Sequence, residues 1–171
     1  DVTEGRIHTL SESSTELLEK LQEPLLIRAY FSARTHPLLA PLAPRLRDMI
    51  KEYAAMGRGM VKIEIIDPSE DATLEQQANE QFGINSTPFQ VSDRYQTALV
   101  NAYFDLVIQY GDQHTVLDFS DLIEVHANNN SEPEVRLRNP EFDISRATKQ
   151  VIQQYRKGDS LSLTLNEPIE F

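Results

Sequence analysis

Hydrophobic and polar residues follow two different periods along the first half of the chain, and these periods predict strands and helices in turn. The segment Leu25–Phe31 is almost continuously apolar, as expected for a strand that is covered on both faces. Apolar residues then recur at helical spacing over residues 46–56, and residues 61–66 alternate between apolar and polar as in a second strand. Because a helix joins these two strands, they are predicted to be parallel, with a right-handed crossover.

The second half of the chain contains a predicted hairpin. Residues 103–110 form another apolar run, and the two residues Gly111-Asp112 separate it from the strand-like residues 113–119. This spacing is typical of a two-residue turn between antiparallel strands, so the sheet is expected to be mixed. Residues 89–102, by contrast, carry no clear period.

Three more helices are predicted, two from their ends and one from a capping pattern. Asp71 is a suitable N-cap for a helix that ends at Gly83, and a long amphipathic segment runs from residue 143 to Gly158. Ser13 and Glu16 have the spacing of a capping box at the start of a leading helix.

Together these elements predict one α/β domain of a thioredoxin-like or amidotransferase-like kind. We expect a three-layer sandwich, in which helices cover both faces of a central sheet that is mixed but mostly parallel. The domain is expected to span residues 1–158 and to include the N-terminal helical lead. Residues 159–171, in which leucines alternate with polar residues, are expected to be a terminal strand or the start of a further region.

Composition and charge narrow the classes of function. The 171 residues are 40% hydrophobic, which is sufficient for a buried core, and 16 basic residues face 27 acidic ones for a net charge of −11. A strongly negative field repels phosphate backbones and anionic lipid head groups, so no nucleic-acid partner is expected. The chain has no cysteine, and the thiol pair of a thioredoxin-like domain would fall where this chain has residues 33–36. Dithiol chemistry is therefore excluded, and a binding or scaffolding role is favoured.

Polar residues at the ends of the predicted strands indicate a binding cleft. Asp67 follows the second strand directly, at the edge of an α/β sheet where ligands commonly bind. A carboxylate there could bind a cation or act as a base, although aspartate before proline is also an ordinary turn. The loop after the first strand and the residue before Pro88 should lie at the same edge. The candidate cleft residues are Ser32, Arg34, Thr35, His36, Asp67 and Thr87.

No motif for metal binding or catalysis accompanies these residues. The four histidines lack the spacing that brings two imidazoles onto one metal, so no metal site or other cofactor is predicted. The sequence contains neither a phosphate-binding loop of the G-x-x-x-x-G-K type nor a G-x-S-x-G serine motif. The alternative function is a hydrolase or amidotransferase-like enzyme that uses Asp67 with a histidine, and a third alternative is a plain homo-oligomerisation domain.

Three segments resemble one family. The lead Asp1-Val2-Thr3-Glu4-Gly5-Arg6-Ile7-His8-Thr9-Leu10-Ser11-Glu12, the strand end Ile66-Asp67-Pro68 and the late segment Phe142-Asp143-Ile144-Ser145-Arg146-Ala147-Thr148 are similar to the auxiliary component of uncharacterised ABC-type transport systems, the kind associated with gliding motility. This resemblance implies a non-catalytic domain on the periplasmic side of the bacterial inner membrane, and we expect this domain to bind partner subunits or a ligand. It also implies a longer protein with membrane helices outside this chain, and ABC permease and ATPase subunits as partners.

Overall fold

The computed structural model describes residues 10–92, 94–127 and 133–166, and residues 159–166 by their backbone alone. The helices along the chain are α1 (Glu12–Glu19), α2 (Leu42–Met56), α3 (Ala72–Phe82), α4 (Phe119–Leu122) and α5 (Pro140–Asn166). The strands are β1 (Leu25–Phe31), β2 (Val61–Ile66), β3 (Thr87–Ser92), β4 (Thr97–Ala102), β5 (Phe104–Tyr110), β6 (Gln113–Leu117), β7 (Ile123–His126) and β8 (Glu134–Leu137).

The principal sheet has four strands in the order β2-β1-β5-β6. β1 and β2 are joined by α2 and are parallel, as predicted, with Leu25 opposite Val61 and Tyr30 opposite Ile66. β5 lies antiparallel to β1, and β6 lies antiparallel to β5, which confirms the hairpin predicted around Gly111. β1 is therefore a central strand, and its burial follows from neighbours on both sides.

The predicted three-layer sandwich with a mostly parallel sheet is wrong. Among the described residues, β1–β2 is the one parallel pair, and β3–β4 and β7–β8 form separate two-stranded antiparallel sheets. The reason lies after α3, where the chain does not continue into a third parallel strand. It makes the β3–β4 hairpin instead and enters the principal sheet antiparallel to β1 as β5.

The core is unequal on the two sides of the principal sheet. Leu46, Ile50 and Tyr53 of α2 are fully buried together with the inward residues of β1 and β5, and α5 adds Ile144 and Val151. A smaller cluster contains Tyr30, Val107 and Ala78 of α3. The larger cluster carries most of the apolar burial and fixes the sheet beneath α2 and α5.

Two predicted ends of elements are also wrong. Helix α5 does not stop at Gly158 but continues to Asn166, so the terminal strand expected within residues 159–171 is helical at least over residues 159–166. Glycine inside a helix costs only about 1 kcal/mol relative to alanine, so it does not by itself end one. The remaining residues, 167–171, lie outside the described part of the chain.

The leading helix begins earlier than the predicted capping box. Ser11 is the N-cap of α1, and its side chain accepts a hydrogen bond from the amide of Ser14. The first nine residues of the predicted lead lie outside the described ranges. Across those ranges, no helix combines the length and the apolar character needed to cross a bilayer.

The turn between β5 and β6 depends on Gly111. Its φ is +59°, and a Cβ placed there would clash with the Tyr155 ring of α5. We expect Gly111→Ala to lower the free energy of unfolding by about 2–3 kcal/mol, because it combines a left-handed backbone with displacement of a packed ring. Gly83→Ala is the matched control, since Gly83 has φ +66° but open space around the same position. Urea denaturation should give a loss for Gly83→Ala of only about 1 kcal/mol, and equal losses would contradict the role of the Tyr155 contact.

Candidate functional site at the ends of the parallel strands

The ends of β1 and β2 open into a cleft of about 400 Å³, which we call the β1/β2 cleft. The carboxyl ends of two parallel strands and the start of α2 surround it, because the crossover returns the chain to the same edge of the sheet. The cleft is lined by Phe31, Ser32, Ala33, Thr35, Ala40, Ala43, Pro44, Arg47, Ile65, Ile66, Asp67 and Glu70.

Asp67 joins the ends of the two strands. One carboxylate oxygen accepts the backbone N–H of Ala33 at 2.9 Å, and the other accepts the backbone N–H of Ser69 at 3.0 Å. The second bond caps the short 3₁₀ helix Pro68–Glu70. The turn role weighed for Asp67 is therefore present, and both oxygens are already engaged in holding the backbone.

Ser32 serves a similar purpose on the other side of the cleft. It is buried, and its hydroxyl accepts the backbone N–H of Tyr103 at 2.7 Å. The Ser32 amide in turn donates to the Tyr103 carbonyl at 3.2 Å. Tyr103 immediately precedes β5, so these bonds extend the β1–β5 pairing beyond the last regular pair and keep the floor of the cleft rigid.

Thr35 is different, because its hydroxyl has no partner. Thr35 Oγ1 is buried and makes no hydrogen bond within the described structure, although it lines the cleft. Nearly all buried polar atoms in folded proteins are paired, so this unpaired hydroxyl is unusual, and a rotation of its side chain toward the cleft would let a bound molecule satisfy it.

Arg34 and His36 are not placed in the cleft as predicted. Arg34 is exposed and does not line the cavity. His36 belongs to the turn that leads into α2, where its Nδ1 accepts the backbone N–H of Leu38 at 3.0 Å. The structure brings together Ser32, Thr35 and Asp67 from the predicted set.

Two charged residues of the cleft were missed by sequence reasoning. Arg47 projects from the second turn of α2, and Glu70 from the 3₁₀ helix. A signal for Arg47 existed: it follows the lining residue Ala43 by four positions, so the two share a helix face. The sequence could not show, however, that this face of α2 is turned toward the ends of β1 and β2.

One family model matches the part of the chain that contains the β1/β2 cleft. A family model described as a domain of unknown function (DUF7088) matches residues 4–109, which is more than half of the chain. The chain belongs to the DUF7088 family. No curated protein and no solved structure matches it. The DUF7088 match extends through β1, β2 and most of β5, so every residue of the β1/β2 cleft lies within it.

A second cavity, of about 390 Å³, contains Thr87 and is formed partly by residues beyond the DUF7088 match, namely Val116, Asp118, Phe119 and Ser120. Thr87 begins β3, so it does not converge on the β1/β2 cleft as predicted. The polar side chains around this second cavity include Asn85, Asp105, Asp118 and Ser120.

Asp105 is the notable residue of this second cavity. Its side chain is only 8% exposed, although it lies within the apolar strand β5. The pKa of Asp105 is raised to about 7, mainly by burial, which outweighs a hydrogen bond from the Phe104 backbone; the negative charges of Asp118 and Asp121 add to the increase. Within the described residues, no group of three or more potential ligands has the arrangement of a metal site.

Proposed function

We propose that this chain is a non-catalytic, extracytoplasmic domain of an auxiliary subunit of an ABC-type transport system, and that it uses the β1/β2 cleft to bind a partner subunit. The permease and the ATPase are the proposed partners, and the periplasmic side of the bacterial inner membrane is the proposed location. The resemblance of the lead, of Ile66-Asp67-Pro68 and of residues 142–148 to such auxiliary components supports this proposal.

The observation that carries the binding role is the contrast between Asp67 and Thr35. Asp67 uses both oxygens to hold backbone amides, so it acts as part of the frame. Thr35 Oγ1, in the same cleft, is buried and unpartnered. A rigid frame around an unsatisfied hydroxyl suits recognition of a ligand, because a rotation of the Thr35 side chain is enough for the ligand to complete the hydrogen bond while the backbone frame stays in place.

The enzymatic alternative has less support from the same geometry. A general base must have an oxygen or nitrogen directed at the proton that it removes. The oxygens of Asp67 and the Nδ1 of His36 each accept a backbone amide that holds a turn. Each of these atoms therefore has a structural role in a turn, and no hydrogen bond joins Asp67 to His36 among the described residues.

The proposal is tested by co-purification. The protein is co-expressed with the permease and ATPase subunits proposed as its partners, and the complex is isolated in mild detergent. The double variant Thr35→Val/Arg47→Gln should reduce the recovered permease by about tenfold, as expected when a buried polar contact and a charge are lost together. Arg45→Gln is the control, because Arg45 is an exposed arginine of the same helix and does not line the cleft.

Two results would refute this function. One is equal recovery of the permease with the wild type and the double variant. The other is failure of the wild type to retain either subunit under conditions in which the permease and the ATPase remain associated with each other.

A further inference from the structure

The β1/β2 cleft contains three polar groups without partners, and together they favour one class of ligand. Besides Thr35 Oγ1, the Arg47 guanidinium and the Glu70 carboxylate make no side-chain hydrogen bond or ion pair within the described part of the chain. Arg47 and Glu70 therefore do not neutralise each other, although both line one cavity. A half-buried arginine without a counter-ion favours an anion, and guanidinium geometry favours a carboxylate.

The rest of the cleft is mainly apolar. Ala40, Ala43 and Pro44 form one wall, and Ile65, which is 41% exposed, lies at the end of the edge strand β2. A volume of about 400 Å³ is close to the lower end of the range for small-ligand sites. The cleft therefore has room for one amino-acid residue and its neighbours, but not for a large polyanion.

We propose that the β1/β2 cleft binds the α-carboxylate of an apolar amino-acid residue. Arg47 pairs with the carboxylate, Thr35 rotates its side chain into the cleft and donates a hydrogen bond from Oγ1, and the apolar side chain of the ligand packs against Ala43 and Pro44. This inference rests on the proposed binding role of the cleft, and it names the chemical group that the cleft recognises. The same group exists in a free amino acid and at the carboxyl terminus of a polypeptide.

Glu70 distinguishes these two sources in principle. A free amino acid carries an ammonium group that Glu70 can pair with, whereas a polypeptide presents an uncharged amide at that position. The edge position of β2 additionally allows an extended polypeptide to lie alongside the strand. The net charge of −11 disfavours ligands with several negative charges, which a single carboxylate avoids.

The test uses small probes of defined chemistry and the chain of residues 1–171. N-acetyl-leucine, N-acetyl-leucinamide, leucine, and a short peptide ending in leucine with a free or an amidated carboxyl terminus are titrated by ¹⁵N NMR. The amide signals of Ala33 and Thr35 should shift with each free carboxylate. They should not shift with the two amides up to about 10 mM, a concentration that detects millimolar binding.

Variants connect the binding to named groups. Arg47→Gln should weaken binding of the free carboxylates by about tenfold or more, and Arg45→Gln should leave binding unchanged. Thr35→Val should weaken binding by about three- to tenfold while raising the Tm of the free protein, because it removes a buried hydroxyl without a partner. This opposite movement of affinity and Tm separates a recognition role from a folding defect.

Each result has a definite meaning. Tighter binding of leucine than of N-acetyl-leucine, with loss of the difference in Glu70→Gln, supports the free amino acid as the source. Tighter binding of the peptide supports a polypeptide terminus. Equal shifts with acids and amides, or no shift with any probe, overturns the carboxylate inference. It leaves the co-purification test of partner binding unaffected, so the two proposals can fail separately.

Discussion

Asp105→Asn should stabilise the protein at pH 8 by about 2–4 kcal/mol and remove most of the loss of stability that the wild type undergoes as the pH rises from about 4 to 8. The physical reason is that the side chain is 8% exposed, and that burial raises its pKa from 3.8 to about 7. Below pH 3.8 the carboxyl group is protonated in both the folded and the unfolded state. As the pH rises toward 7, the unfolded chain ionises while the folded protein retains the proton, so the folded state loses stability.

The measurement is urea denaturation of the wild type and the variant at several pH values. Asp112→Asn is the control, because Asp112 is an exposed aspartate in the turn after β5 and its replacement should not change the pH dependence. A wild-type protein whose stability does not fall between pH 5 and 8 relative to Asp105→Asn would contradict the buried, protonated state. A fall would also show that the second cavity disfavours negative charge near neutral pH.

Glu141→Ala should lower the free energy of unfolding by about 2–3 kcal/mol, because it removes charge-assisted hydrogen bonds that hold α1 against α5. Glu141 Oε2 accepts the Ser11 amide at 2.9 Å and the Ser14 hydroxyl at 2.7 Å. Ser14 is itself buried and lies 2.7 Å from the Ser145 hydroxyl, which is 2.6 Å from the hydroxyl of Tyr53. Without Glu141, this buried network loses its acceptor at one end.

The effect should be local as well as global. Hydrogen exchange should accelerate most over residues 12–19, since the Glu141 carboxylate holds the Ser11 amide at the start of α1. Glu141→Gln keeps one oxygen acceptor and should cost less than half as much as Glu141→Ala. Glu16→Ala is the control, since Glu16 is an exposed glutamate of α1. Equal exchange in Glu141→Ala and Glu16→Ala would contradict the tether.

Glu141 and Asp105 have opposite dependence on pH. Burial by itself would raise the pKa of Glu141, but the hydrogen bonds from Ser11 and Ser14 outweigh burial and lower the pKa below its ordinary value. Its contribution is therefore present above the unfolded pKa and is lost as the pH falls. Lowering the pH should therefore weaken the attachment of α1 to α5, and it should also remove the destabilisation caused by ionised Asp105.

Local pattern was sufficient to predict the elements that depend on near neighbours. The apolar run at Leu25–Phe31, the alternation at residues 61–66 and the turn at Gly111 each depend on a few consecutive residues, and the corresponding pairings are present. Pattern was insufficient for residues 87–102, which form the β3–β4 hairpin, because one side of that hairpin is exposed and its apolar period is weak. The prediction of a mostly parallel sheet was wrong for the same reason.

The site divides in a similar way. Proximity of Ser32, Thr35 and Asp67 follows from β1 and β2 being parallel, so the sequence by itself determined that they would share one edge. Only the tertiary structure decided which of them is free to bind: Asp67 is engaged by backbone amides, and Thr35 Oγ1 is not. The orientation of α2 against the sheet placed Arg47 at the cleft. The burial of β5 inside the domain raised the pKa of Asp105. Secondary structure depends on periodicity along the chain, whereas hydrogen-bond partners and burial depend on residues distant in sequence, whose positions are set only when the elements pack.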